Sequence, residues 1–454
     1  MISVALSQLA EVLSACLIGA DREISAVSTD TRTISPSGQS LFVALAGEKF
    51  DGHNFAEQAL ANGAAALLVS RRLELDIPQL LVEDTRVALG QLGAWLQQQC
   101  PTPTVAITGS CGKTTVKEMV ASIMAPLGQV LFTAGNFNND IGVPLTLLRK
   151  TPQDQYSVIE LGANHVGEIA YTTRLVKPDV ALVNNVAAAH LEGFGSLQGV
   201  MQAKGEIFQG LPAGGVAIIN CESHGGDLWQ PVLEDKTVKR FSTRRQDVEF
   251  YATEICLNSR SEAQFCLHSP SGDVQIQLGL SGQHHVANAL AAAALAMEMG
   301  ASLTQVRTGL ANLANVKGRG EMLDLRSGIT LIDDSYNASV PAMLAAVDLL
   351  NSFSGQRWLI LGNMAELGTE SLALHRQVGE YAAPFAFDQV LTYGEDAKVI
   401  SDVCHGHHFA DHSSMIDYIE QQLANRNDVP YTLLVKGANS AGMSKIAAVI
   451  KEKF

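Results

Sequence analysis

The alternation of apolar and polar positions divides the chain into three blocks, each mixing short apolar runs with helical stretches. The first begins with a short helical pattern and the polar stretch STDTRTISPSG. It continues through the strand-like SLFVAL, a helical stretch around 55–62, the strand-like AAALLV at 64–69 and PQLLVED. A helix over 85–99 leads to CPTPT, whose two prolines break regular structure and mark a boundary.

From 105 to about 315 the alternation resumes on a larger scale, with strands expected at 105–108, 157–161, 180–186 and 215–220. A helix of strong intrinsic propensity is expected over 286–298. The segment 235–280, richer in polar and β-forming residues, predicts antiparallel strands. A third block, from about 316, carries strands at 329–333, 358–362, 389–394 and 431–437 with helices between them. Continuous apolar strands spaced by helices predict parallel sheet covered on both faces. The expectation is an α/β chain of three domains: a small α/β domain over 1–84, a central, mostly parallel sheet over 85–315, and a Rossmann-like α/β domain over 316–454. A length of 454 residues agrees with that division at roughly 150 residues per domain.

Charge narrows the partners. Thirty-one basic against 46 acidic residues leave a net charge of −15, which repels nucleic acid and anionic membrane but not a small anion in a prepared pocket. Seven scattered cysteines without Cys-x-x-Cys spacing read as free thiols in a reducing compartment. The amino terminus carries Glu11 and lacks the basic region of a secretory signal. The apolar run near 289–301 is interrupted by Glu298 and Gly300 and is too short to span a bilayer. A cytoplasmic protein is expected.

The strongest chemical motif is Gly109-Ser110-Cys111-Gly112-Lys113-Thr114-Thr115, placed between the strand PTVAIT and the helix VKEMVASIM. Glycines let backbone amides converge on phosphate oxygens, and the helix N-terminus adds partial positive charge. Lys113 would reach the β- and γ-phosphates and Thr114 would offer its hydroxyl to Mg²⁺, so a nucleoside triphosphate is the expected ligand. Only two residues separate the glycines, fewer than in the familiar eight-residue loop. Cys111, at a helix N-terminus beside Lys113, is expected to be a reactive thiolate whose alkylation inactivates the protein.

This shortened loop, together with NFNNDIGVPLTLL at 136–148, resembles the Mur ligase family of ATP-dependent amide-bond-forming enzymes. The resemblance extends through IELGANHVGEI (159–169), NNVAAAHLEGFGS (184–196), AKGEIF (203–208), GQHHVANALAAAA (282–294), KGRGE (317–321), DDSYNASV (333–340), LGNMAELG (361–368) and LLVKGANS (433–440). STDTR (28–32) and LFVALAGEKFDGHNF (41–55) look like a uridine-nucleotide domain, so the match covers nearly the whole chain in order.

The resemblance implies addition of D-alanyl-D-alanine to UDP-N-acetylmuramoyl-tripeptide in peptidoglycan precursor synthesis, through an acyl phosphate, with ATP and Mg²⁺ and without oligomerisation. It implies a metal role for Glu160 and His190, and a carbamylated Lys204 as an anionic donor. Asn288 would contact the adenine, with His284 four residues away on the same helical face. Arg319 would neutralise the γ-phosphate, and Asp334 and Asn337 would hold the ribose and neighbouring groups. Ser28, Thr29, Asp30 and Arg32 would meet the uridine diphosphate, and Asn138 and Asn139 the tripeptide. Where the family more often shows VKGSR, this chain reads VKGANSAGM, which leaves Lys436 and Ser440 as contacts for the dipeptide. Two relatives in the family compete. Third-residue ligases carry a DNPR-like signature where this chain has LGNMAELGTE, and polyglutamate synthases lack the amino-terminal domain. A nucleotide-dependent switch or a kinase would use the loop without making an amide bond.

Overall fold

The run TVAIT forms the strand Thr104–Thr108, buried along its whole length in a computed structural model of the chain. The structure describes every residue except 37, 48, 49, 315, 326, 327 and 427. Asn315, the end of the expected central domain, and Glu48 and Lys49, inside the expected uridine-nucleotide segment, therefore lie outside the described residues. A strand buried on both faces needs parallel neighbours beneath helices. Thr104–Thr108 accordingly pairs in parallel with Tyr156–Glu160 on one side and Val180–Val183 on the other.

Around these three grows a nine-stranded sheet in the order Val130–Phe132, Tyr156–Glu160, Thr104–Thr108, Val180–Val183, Val216–Asn220, Thr237–Ser242, Phe250–Leu257, Glu262–Ser269, Gly272–Ser281. Pairing is parallel as far as Phe250–Leu257 and antiparallel for the last two strands. The polar segment 235–280 thus yields antiparallel strands as expected, preceded by one parallel strand. The strand expected at 180–186 stops at Val183, because Asn184 and Asn185 leave the sheet to hold the phosphate loop. The helix His285–Glu298 is apolar nearly all round and is buried from Val286 to Ala296 except at Ala287. Its Leu290 and Ala294 share a core with Met119, Val120 and Ile123 of the phosphate-loop helix Lys113–Met124.

The amino-terminal sheet has the order Cys16–Ile18, Gln79–Leu81, Ala64–Val69, Ser40–Val43, Ala26–Ser28, antiparallel only at its first pair. The helical stretch near 55–62 is a 3₁₀ turn, Gly52–Phe55, running into the helix Ala56–Ala61. The helix Thr85–Gln99 is capped by Asp84, whose side chain accepts from Arg86 N and Val87 N. Its Ala88, Leu89, Leu92 and Leu96 pack with Leu41, Ala66 and Leu68 of this sheet. At its far end Gln97 donates to Thr104 Oγ1 and Val176 O, and the buried Lys150 donates to Gln97 Oε1 at 2.6 Å. One helix therefore ties two cores together.

The carboxy-terminal sheet runs Glu321–Leu325, Ile329–Asp334, Tyr431–Lys436, Gln356–Gly362, Gln389–Tyr393, His407–Phe409, with only the first pair antiparallel. Apolar clusters cover both of its faces. The carboxyl ends of its strands and those of the central sheet open on one cleft, the usual place for ligands in parallel α/β sheets. Among the described residues no helix is long and apolar enough to cross a membrane.

The phosphate-loop helix is held by a close approach at Gly309, in the helix Leu303–Ala311. A Cβ there would lie 2.6 Å from Ile123 Cα and 2.7 Å from its N, while Ser122 Oγ donates to Gly309 O at 2.8 Å. Gly309→Ala is expected to destabilise the protein by about 1–3 kcal/mol through overpacking, outweighing the roughly 1 kcal/mol alanine gains in a helix. Urea unfolding midpoints measure this, and an unchanged midpoint would show slack between the two helices.

Candidate active site

The phosphate loop is held from outside by three asparagines. Asn184 Nδ2 and Asn185 Nδ2 both donate to Cys111 O, at 3.1 and 3.0 Å. Asn185 Oδ1 accepts from Cys111 N, and Asn185 O accepts from Ser110 N. Asn184 Nδ2 also donates to Asn288 Oδ1 at 3.0 Å, so the third asparagine closes the set from the helix His285–Glu298. Both loop glycines have positive φ, 155° at Gly109 and 77° at Gly112. A Cβ on Gly112 would meet Asn288 Oδ1 at 2.6 Å and Asn184 Nδ2 at 2.7 Å, so the clamp requires glycine there. The amides of Ser110 and Cys111 are thus spent on anchoring, and phosphate oxygens are left to those that follow, at the helix start. Lys113 Nζ folds back onto Gly109 O at 2.7 Å, and burial lowers its pKa.

Glu160, at the end of its strand, is buried and receives Thr114 Oγ1 on one oxygen and Asn138 Nδ2 on the other, each at 2.8 Å. Its amide donates to Thr133 Oγ1, and the buried Lys117 donates to Thr133 O at 2.7 Å, which fixes the strand end from the phosphate-loop helix. Both hydrogen-bond donors to this carboxylate are neutral, so no cationic side chain is bonded to it. Hard oxygen donors from Glu160 and Thr114 are of the type that suits a hard divalent cation. No cluster of three His, Cys, Asp or Glu residues of metal-binding geometry occurs among the described residues.

His190 opens the short helix Leu191–Phe194 and contacts the edge of Phe194, ring centroids 6.4 Å apart. Its Nδ1 faces the Glu366 carboxylate of the carboxy-terminal domain. Burial and the nearby Lys113 lower its pKa, against the pull of Glu366. Lys204 is buried, with Nζ 5.5 Å from the centre of the same Phe194 ring. Desolvation, reinforced by Lys113, lowers its pKa well below the ordinary lysine value although Glu160, Glu168 and Glu206 oppose the shift. It is not among the residues that line the cleft.

Across a cleft of about 1200 Å³ stand the carboxy-terminal residues Arg319, Asp334, Asn337, Lys436 and Ser440, facing Ser110 to Thr115, Asn138, Glu160, His190, His284 and Asn288. The Arg319 guanidinium lies 4.1 Å from the ring centre of Tyr336. Lys436 is buried and donates to Asp334 Oδ2 at 2.6 Å and to Asn337 O at 2.9 Å, so it braces the loop after Ile329–Asp334. Asn337 Oδ1 accepts from Ala338 N within the same loop.

Other expected residues stand elsewhere. Ser28, Thr29, Asp30 and Arg32 lie outside the cleft lining. Ser28 Oγ donates to Asp30 O, and the exposed Arg32 pairs with Asp30 at 2.6 Å, an interaction that lowers the Asp30 pKa to about 2. Asn139 is exposed, and its Oδ1 accepts from Gly142 N at the start of the helix Gly142–Leu147.

At Cys111 two effects oppose each other. Desolvation raises its thiol pKa, against the Lys113 charge and the Asn185 hydrogen bond that lower it, while the half-buried side chain still lines the cleft. Asn184, Asn185, Lys117, Thr133, Tyr336 and Glu366 were not read as site residues. The Asn-Asn pair ending an apolar run was the available signal, since two adjacent amides fit a loop better than a buried strand.

Residues 23–94 match the family described as Mur ligase family, catalytic domain, residues 107–296 the Mur ligase middle domain, and residues 318–439 the Mur ligase, glutamate ligase domain. The UDP-N-acetylmuramoyl-tripeptide–D-alanyl-D-alanine ligase of Escherichia coli (strain K12) is 52% identical over 453 residues, 100% of this chain and 99% of that protein. A crystal structure of MurF from Acinetobacter baumannii superposes with a TM-score of 0.94 at 34% identity, covering 100% of both chains. MurF ligase from Thermotoga maritima, solved in complex with ADP, shares the fold at a TM-score of 0.82 and 24% identity, over 94% of this chain and 97% of that one. With all three domain descriptions present in order and half of all positions identical to a full-length relative, the chain belongs to the Mur ligase family.

Proposed function

We propose that the chain is the ATP-dependent ligase that joins D-alanyl-D-alanine to UDP-N-acetylmuramoyl-tripeptide, releasing ADP and phosphate. The observation that carries this is a single cleft receiving Lys113 of the phosphate loop and Arg319 and Lys436 of the carboxy-terminal domain. The full-length identity to the E. coli ligase of that name supplies the substrates. The ADP in the Thermotoga maritima relative agrees with ATP as the nucleotide.

A carboxylate is a poor electrophile, so the tripeptide carboxylate is first phosphorylated, and the dipeptide amine then displaces phosphate through a tetrahedral intermediate. Positioning and charge neutralisation supply most of the catalysis in the first step. The loop Gly109, Ser110, Cys111, Gly112, Lys113, Thr114 and Thr115 holds the phosphates, with Lys113 and Arg319 as the neutralising cations. Thr114 and Glu160 would hold Mg²⁺, which when bound disperses phosphate charge; His190 and a carbamylated Lys204 extend that donor set. Asn288 faces the adenine, and Asp334 and Asn337 the ribose. Ser28, Thr29, Asp30 and Arg32 receive the uridine diphosphate, Arg32 by exchanging Asp30 for the diphosphate. Asn138 and Asn139 face the tripeptide, and Ser440 the dipeptide. The domains 1–84, 85–315 and 316–454 thus take the uridine substrate, the phosphates and the closing role. The reaction belongs to the cytoplasm, where ATP is available, and needs one copy of the chain.

Orthophosphate release from ATP is expected to require both the UDP-linked tripeptide and D-alanyl-D-alanine; equal release without the dipeptide rejects the ligase reading. Lys113→Ala is expected to lower kcat/KM for ATP by about 10²–10³-fold, the loss typical of one preorganised charge-stabilising group.

Carbamate formation needs a neutral amine, and the lowered Lys204 pKa means that this form grows as pH rises through the lowered value. ¹³C NMR of enzyme equilibrated with ¹³C-bicarbonate should show a carbamate signal that fades on acidification at constant dissolved CO₂. The signal should be absent from Lys204→Gln, and a wild-type spectrum without it removes the carbamate.

With its thiol pKa raised by burial, Cys111 should react with iodoacetamide more slowly at neutral pH than the exposed Cys16 and Cys256. Peptide mass spectrometry ranks the three, and activity should outlast modification of the exposed pair.

A further inference from the structure

The carboxy-terminal domain meets the central domain at several places, among them the pairs Arg260–Asp324 and Ser261–Ser352, and one of them is a turn of chain beside the cleft. Glu366 follows the strand Gln356–Gly362, and its carboxylate meets His190 Nδ1. Its carbonyl accepts from Glu192 N at 3.1 Å. Two residues on, a Cβ at Gly368 would lie 3.6 Å from Glu192 Cα, which is ordinary contact distance. Three contacts from one loop therefore converge on residues 190–192. His190 and Glu366 are both non-glycine residues in left-handed backbone, with φ of 54° and 60°. Such conformations persist where the surroundings over-determine them.

The loop that presents Glu366 is itself rigidly held. His375 Nε2 accepts from Met364 N at 2.8 Å while its Nδ1 bonds Ser371 O at 2.7 Å, and Asn363 Oδ1 accepts from Ala397 N. Met364 and Leu367 on either side of Glu366 are buried. On the receiving side, the His190 ring has Phe194 against it and the carboxylate on Nδ1. With Nδ1 engaged, Nε2 is the nitrogen left to face a ligand, and a carboxylate on the far nitrogen is a general means of fixing a functional imidazole.

We propose that Glu366 is a positioning residue that takes Nδ1 of His190 when the carboxy-terminal domain docks, so that the imidazole is aimed only in the docked arrangement. Glu366 acts through His190 and not on substrate, and the proposal rests on the ligase reading above. The carbonyl bond to Glu192 and the packing of Gly368 hold the two loops in register while the side chain sets the ring.

The test compares Glu366→Ala, Glu366→Gln and the control Glu370→Gln, an exposed carboxylate on the same loop, with wild type. Glu366→Ala is expected to lower kcat about 10–100-fold, as loss of an imidazole-orienting partner does, while KM for ATP stays within about two-fold. Hydrogen exchange of the 190–195 amides should accelerate in the same variant. Glu366→Gln, whose side-chain carbonyl can still accept from Nδ1, should recover part of kcat, and Glu370→Gln should change neither readout. In a His190→Ala background, Glu366→Ala should cost nothing further, since the group it positions is gone. An unchanged kcat in Glu366→Ala, or the same fold-loss in the His190→Ala background, overturns the proposal. Should wild-type enzyme show no dipeptide-dependent phosphate release, the ligase reading fails instead, and amide exchange still decides whether the Glu366 side chain holds 190–195.

Discussion

The clamp of Asn184, Asn185 and Asn288 on the phosphate loop is the constraint on which the rest of the site depends. Asn184 grows directly out of the central sheet, its amide bonded to Thr108 O at 2.8 Å, and Asn288 comes from the buried helix behind the loop. Their side chains can reach the loop only because Gly112 has no Cβ to collide with them. The loop is therefore shaped by contacts within the protein, and part of its ordering entropy is met in folding. The same contacts crowd Cys111, and desolvation raises its thiol pKa against the lowering effect of Lys113.

Electrostatics follow from that geometry. The chain carries −15 overall, yet Lys113, Arg319 and Lys436 open on one cleft with Lys204 behind it. Desolvation lowers the pKa of Lys113 and Lys204, and proximity of one cation to another adds to the effect. A triphosphate placed among these cations would offset their mutual repulsion. Glu160 is the counterpart: buried and hydrogen-bonded by neutral donors, it is matched to a hard cation.

Much of the fold was legible in the chain because a period-2 or continuous apolar run admits few readings. The strands at 64–69, 105–108, 358–362 and 431–437 and the helix at 85–99 stand where the pattern put them, within a residue or two at their ends. The phosphate loop was equally plain, since its glycines and its Lys-Thr pair sit together in sequence. The expected strand at 180–186 ran too far because the hydrophobic pattern reports burial, and Asn184 is buried without being in the sheet. The roles of Lys117 and Thr133 were hidden because each is defined by a partner distant in the chain.

By itself, then, the sequence determined the three-block α/β plan, the phosphate loop and the family resemblance, because those signals are local or lie in fixed order along the chain. Tertiary structure alone decided that Asn184 and Asn185 shape the loop, that Lys436 braces Asp334, that Cys111 is desolvated and that Glu366 meets His190. Each of these joins residues tens to more than a hundred positions apart, or depends on water excluded by such contacts. Spacing along a chain carries no record of which loops will meet across a cleft.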